Sequence, residues 1–287
     1  MSALSDQLLV GAVLAYLVAM VCHAAEYAFG TRGPVGRAAA RPARELVGAA
    51  VGSTGGAAGG GASGTALDAG LPSTESDDIK RPADAAAPTV GRAAIVGQIG
   101  LALTFLAAAL HLAALVTRGV AAERMPWGNM YEFVLASTFI GVSAWLGLVL
   151  RRPQMRHLGL FVALAMVVLL GVAGMVLYIP VTPLMPALDS YWFVIHISSA
   201  VVASGIFLLG FVPAVMYLIR SGFERGKRGF PYSLGRRMPA AAPLERLTFR
   251  LHAFAFPIWT FAVMAGAIWA EAAWGRYWGW DPKETWA

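Results

Sequence analysis

The sequence predicts an all-α protein, a polytopic membrane bundle of about six transmembrane helices. Composition is the first observation: 58% of the 287 residues are hydrophobic and 13% are charged, where soluble domains carry about 25% charged residues. The second is a set of uninterrupted apolar runs at about 8–29, 95–117, 132–150, 158–179, 193–219 and 250–270. A helix needs roughly 20 apolar residues to cross about 30 Å of hydrocarbon. Backbone in lipid must satisfy its own hydrogen bonds, so such runs should be helical. The short alternating segments of a transmembrane barrel do not occur.

Each run has its own character. The first lacks the basic flank of a signal peptide, since Asp6 is the only charge before it, and it is too long for a signal core, so it reads as a retained helix spanning 1–30. Residues 31–93 include GAAVGSTGGAAGGGASGTALDAG. That stretch has almost nothing to bury and predicts a disordered cytoplasmic linker. Five helices should then form a bundle over 94–273. The fourth run, LGLFVALAMVVLLGVAGMVLYI, carries no charge, and the last two contain Pro213 and Pro257. Proline removes a backbone bond and can kink a membrane helix.

Charge distribution gives an orientation. Seven Lys/Arg fall between the first two runs, three follow the third run (Arg151, Arg152, Arg156), and eight lie between Arg220 and Arg250; the opposite side has Arg118, Arg124, Arg276 and Lys283. The positive-inside rule places the basic loops in the cytoplasm of a plasma-membrane protein and the N-terminus outside. The formal charge of +6 is thus a topology signal rather than a nucleic-acid footprint. One cysteine, Cys22, excludes a disulfide or a CxxC pair built from this chain alone.

The C-terminal stretch WGRYWGWDPKETWA, residues 274–287, puts Trp274, Tyr277, Trp278 and Trp280 within seven positions and follows them with Asp281. Tryptophan favours membrane borders in any case, which gives one reading, an aromatic belt. The other is a platform for a flat, hydrophobic, partly charged ligand such as a porphyrin. Asp281 suits an N-cap, Pro282 the first helical position and Glu284 the third, which together make a capping box. The sequence therefore predicts another helix and stops within its first turn, as a truncated chain would.

WGRYWGWDPKETWA resembles the tryptophan-rich WWD signature of haem-handling proteins in cytochrome c maturation, and most of all the CcsA/ResC-type subunit of the System II cytochrome c synthase. MPWGNMYEF (125–133), SYWFVIHISSAV (190–201) and the helix LERLTFRLHAFAFPIWTFAVMAGAIWAEAAWG resemble other parts of the same family, from about residue 95 onward. The resemblance implies a haem-binding subunit of a haem lyase. Haem b would be its ligand and substrate, presented on the extracytoplasmic face for thioether attachment to CxxCH of apocytochrome c, and the chain would also export haem. A ResB/CcsB-like membrane subunit would be its partner. The readings set against it are a CcmC-like protein handing haem to a chaperone, a non-haem membrane transporter, and a structural assembly subunit without a ligand.

Within that resemblance Trp274, Trp278, Trp280 and Asp281 form the haem platform, and His196, at the outer start of the fifth helix, is an axial ligand to haem iron. Asn129, Tyr131 and Glu132 on the outer 2–3 loop should brace the signature. The family carries two further histidines beyond the signature, so the second axial ligand would lie past residue 287. Four histidines remain. His111, inside the second run, is either a polar group between helices or part of a haem route. His23 shares a helix face with Glu26 and reads as interfacial or as a haem entry point. His157 and His252 lie beside basic clusters and should be solvated.

Overall fold

The computed structural model describes residues 2–29 and 91–286. The linker expected over 31–93 lies outside the described residues except for 91–93, where the next helix has already begun at Arg92. The long helices are α1 (Ser2–Phe29), α2 (Arg92–Ala122), α3 (Met130–Arg151), α4 (Gly159–Val176), α5 (Tyr191–Glu224) and α6 (Ala241–Trp274), and a short α7 (Pro282–Trp286) follows. Single 3-10 turns lie at Pro153–Leu158, Pro186–Leu188 and Tyr232–Arg237, and no strand occurs among the described residues. Six helical spans are long and apolar enough to cross a membrane, the fourth counted from Pro153, as the apolar runs predict. The chain is a multi-pass membrane protein.

Helices α1 and α2 pair through matched heptad stripes. The buried residues of α1 are Ser5, Leu9, Ala12, Tyr16, Ala19, His23 and Glu26, spaced alternately four and three. Those of α2 include Gly97, Gly100, Thr104, Ala107, His111, Ala114 and Arg118. This is the spacing of a packed helical seam. Lipid is as apolar as leucine, so small side chains and polar contacts, not hydrophobicity, hold such helices together. Gly100 brings the helices close, because a Cβ there would stand 3.0 Å from Cys22 Cβ. Ser5 Oγ donates to the Ala114 carbonyl at 2.8 Å, and His23 Nε2 meets Thr104 Oγ1 at 3.3 Å. Val10, Leu14, Val18 and Val21 face outward.

The remaining helices extend the bundle from α1 and α2. Helix α4 packs on α1 and on α3, α3 also meets α2 and α5, and α6 packs on α5. Helices α3 and α5 cross at a pair of glycines. A Cβ on Gly205 would lie 2.6 Å from the Ser137 carbonyl oxygen, and one on Gly141 would lie 3.0 Å from the Gly205 carbonyl oxygen. Pro213 and Pro257 both lie inside continuous helices, α5 and α6.

Several polar residues sit deeper than sequence position implies. His157, expected in solvent, is buried, with Nδ1 2.6 Å from the Gln154 carbonyl. The 3-10 turn between α3 and α4 folds it back onto the bundle. His252, also expected in solvent, is half-buried against Gly210, where a Cβ would come within 2.7 Å of the ring. His23 and Glu26, read as interfacial or as an entry point, are both buried. Glu26 is closed off by Arg156, whose Nη2 lies 2.6 Å from Oε1. His111 is fully buried, edge-on to Tyr16 and Phe139.

A buried ion pair leaves a costly orphan when one partner is removed. Glu26→Ala should therefore lower stability by about 3–5 kcal/mol, whereas the double change Glu26→Leu/Arg156→Leu should recover most of that loss. Thermal unfolding of the purified chain in detergent measures both.

Candidate functional site

The end of the bundle where α3 and α5 begin and α6 finishes holds a cavity of about 620 Å³. Ligand pockets commonly fall at about 300–1,000 Å³. Its floor is the α5–α6 crossing. On α5, Phe193, His196, Ile197 and Ala200 line it at positions i, i+3, i+4 and i+7, one face of a helix. Small residues of α6, Ala262, Gly266, Ala267 and Ala270, line it from the other side and leave the space open.

His196 is held by α6. Its Nδ1 donates to the Ala262 carbonyl at 2.8 Å, and a ring nitrogen that faces a carbonyl must carry the proton. That fixes the tautomer and leaves the Nε2 lone pair available, the arrangement found in imidazole ligands of metals. The ring seats in a notch at Gly266, where a Cβ would fall 2.6 Å from Nδ1. Its face stacks on Trp269 with centroids 5.7 Å apart and planes 18° apart. Trp269 is anchored in turn by its indole N–H, which donates to the Ala187 carbonyl at 2.9 Å. Trp274 meets Trp269 edge-on at 4.8 Å.

The C-terminal loop forms a second wall. Gly275 ends α6 in the left-handed conformation (φ 67°), where glycine carries no Cβ penalty. Trp280 has φ 56°, a strained conformation for a bulky side chain, of order 1–3 kcal/mol. The turn there swings the chain into α7. Asp281 Oδ1 accepts from Glu284 N at 2.8 Å, while Glu284 Oε2 accepts from Gly279 N at 2.6 Å and from Asp281 N at 3.3 Å. This is the reciprocal capping box that the sequence predicts.

The third wall is the loop Trp127–Asn129. Asn129 caps α3 by accepting from Glu132 N at 2.9 Å, and the Glu132 carboxylate accepts from Gly128 N at 2.8 Å. Glu132 is fully buried between Arg118 (Nε 2.9 Å) and Arg124 (Nη1 2.8 Å). Gly128 lies so close to Arg124 that a Cβ would stand 2.6 Å from its guanidinium. Tyr131 packs behind the loop, under Arg118 at 4.6 Å and against Tyr178 at 5.4 Å.

Of the residues singled out from sequence, the fold brings His196, Trp274, Trp278, Asp281 and Asn129 onto one cavity. Trp280 is 77% exposed and is not among the lining residues, though its ring meets Trp278 edge-on at 6.1 Å. Tyr131 and Glu132, expected on the 2–3 loop, instead occupy the first turn of α3, buried behind the lining. His111 does not line the cavity. Trp127, Trp269, Gly266 and Lys283 were missed. Trp269 and Gly266 lie in one apolar run, and the only signal for them was their shared helical face with Trp259, at i, i+7 and i+10.

A match to a known family bears on the same region. Residues 127–287 match the family described as Cytochrome C assembly protein, so the match starts at Trp127 of the third wall and covers all three walls. The chain belongs to the cytochrome c assembly protein family. It is similar to proteins described as cytochrome c biogenesis protein CcsA. The one from Guillardia theta is 36% identical over 37% of this chain and 39% of its own length. The one from Cyanophora paradoxa is 27% identical over 60% of this chain and 66% of its own length. The one from Crocosphaera subtropica is 28% identical over 71% of this chain and 76% of its own length. This chain thus spans less than two thirds of the first two of these relatives.

Gly266 is the test of how His196 is held. A methyl group at Gly266 cannot coexist with the ring in its present place. Gly266→Ala should break the Ala262 contact and turn the imidazole outward, raising His196 reactivity toward diethyl pyrocarbonate severalfold, as peptide mapping would show.

Proposed function

We propose that this chain binds haem in the cavity between α5, α6 and the C-terminal loop and presents it for attachment to apocytochrome c. The observation that carries this reading is His196: an imidazole with its tautomer fixed, its ring stacked on an indole, and Nε2 free, set in an aromatic cavity of about 620 Å³. Among the described residues no group of three or more His, Cys, Asp or Glu gathers in a way that could hold a bare metal ion. A lone imidazole suits an iron already held by four porphyrin nitrogens. Trp274 and Trp278 offer flat apolar surface beside it, and Trp280 extends that surface at the rim.

The attachment reaction asks little acid–base chemistry of this protein. Each thiol of a CxxCH peptide adds across a haem vinyl group, the sulfur forming the new C–S bond and the proton going to the neighbouring carbon. Haem supplies the vinyl carbons and the peptide supplies the thiols, so the chain contributes position and electrostatics. Holding two reacting groups in register can contribute on the order of 7–11 kcal/mol. His196 fixes the height of the macrocycle, the indoles fix its plane, and the Asn129 and Asp281 caps fix the two walls. Within this reading the chain is the membrane subunit of a cytochrome c synthase, acts with a ResB/CcsB-like partner, and exports the haem that it presents. Its cavity end is extracytoplasmic and its basic loops are cytoplasmic, as the distribution of Lys and Arg favours.

Two experiments test this. In the intact complex, His196→Ala should lower the haem content of the purified protein, measured by pyridine haemochrome, by at least about tenfold, and cytochrome c yield should fall with it; unchanged haem and unchanged iron ligation would end the ligand assignment. In a Cys22→Ser background, a cysteine replacing Arg276 should react with an impermeant maleimide in intact cells, and one replacing Arg236 should react only after permeabilisation. The reverse pattern would place the cavity on the wrong side.

A further inference from the structure

The charged groups around the cavity are not equivalent. Asp281 and Glu284 both line it, yet both carboxylates are engaged with backbone. Asp281 accepts from Glu284 N, and Glu284 accepts from Gly279 N and Asp281 N. Lys283, between them in sequence, also lines the cavity and is exposed. It makes no hydrogen bond or ion pair among the described residues, and it is the one Lys or Arg in the lining. The capping box thus fixes the backbone on either side of Lys283 and leaves its ammonium uncommitted at the edge of an apolar, aromatic space.

An apolar cavity with an imidazole on its floor and one uncommitted ammonium at its rim fits a flat ligand that is greasy over most of its area and anionic at one edge. We infer that Lys283 is the carboxylate anchor of this cavity and binds a propionate of the porphyrin. This deepens the haem reading and rests on it. An ammonium gives a point charge with three donors and no directional fork, so it tolerates the mobility of a propionate. The propionates of haem share one edge of the ring, and the vinyl groups lie away from it. Anchoring at Lys283 therefore turns the vinyl edge away from α7. His196 sets where the iron sits, and Lys283 sets how the ring is rotated about it. Asp281 and Glu284 are positioning residues for Lys283.

The test compares two porphyrins on the full chain in nanodiscs: haem, and its dimethyl ester, which keeps the ring and loses both charges. Affinities are read from the Soret band and from tryptophan quenching at neutral pH. The wild-type protein should prefer the diacid about fivefold at low ionic strength, and salt should shrink that preference. Lys283→Met should abolish the preference while leaving the affinity for the ester unchanged, and Lys283→Arg should retain it. Undiminished preference in Lys283→Met, or none in the wild type, overturns the anchor and leaves the haem reading standing. Failure of the wild type to bind either porphyrin removes the haem reading and the anchor together.

Discussion

One hydrogen bond between two membrane helices organises the cavity end of this protein. His196 reaches from α5 to the Ala262 carbonyl of α6, and that contact exists only because Gly266 has no side chain to occupy the notch. The bond sets the separation of the helices, chooses the tautomer, and lays the ring against Trp269. The rest of the aromatic lining is arranged outward from that pair. A polar contact between helices in lipid is worth on average about 0.6 kcal/mol, so its importance lies in geometry more than in energy.

The two outer walls are built by the same local device. Asn129 with Glu132, and Asp281 with Glu284, each close an Asx-x-x-Glu cap, and in both the glutamate also takes the N–H of a preceding glycine, Gly128 or Gly279. A cap binds a loop to the first turn of the helix it opens, so each wall inherits the rigidity of a helix. The devices differ in burial. Glu132 is sealed between two arginines, whereas Glu284 is only half-covered. One wall is thus locked into the bundle and the other depends on its own short helix.

Much of this was legible in the sequence, and the exceptions follow from the physics of lipid. The six spans were legible because hydrocarbon thickness sets a minimum apolar length. The Asp281 cap was legible because capping is local in sequence. The depth of His23, Glu26 and His157 was not, since position near the end of a span does not reveal that Arg156 or Thr104 waits on another helix. Trp269 and Gly266 were hidden inside an apolar run where every residue is a plausible lipid or packing residue. Trp280 reads as one more indole of the cluster, and only its positive φ explains why its ring stands largely in the open.

The lengths of α5 and α6 have a further consequence. Each has 34 residues and so runs about 50 Å at about 1.5 Å per residue, while the hydrocarbon layer is about 30 Å thick. Tilts of membrane helices reach about 40° at most, which is too little to absorb the difference. Both helices must overhang the oily layer, and His196 lies only five residues from the start of α5. The surplus, about 10 Å even at that tilt, must be carried in the headgroup zone or beyond it at one or both ends of each helix.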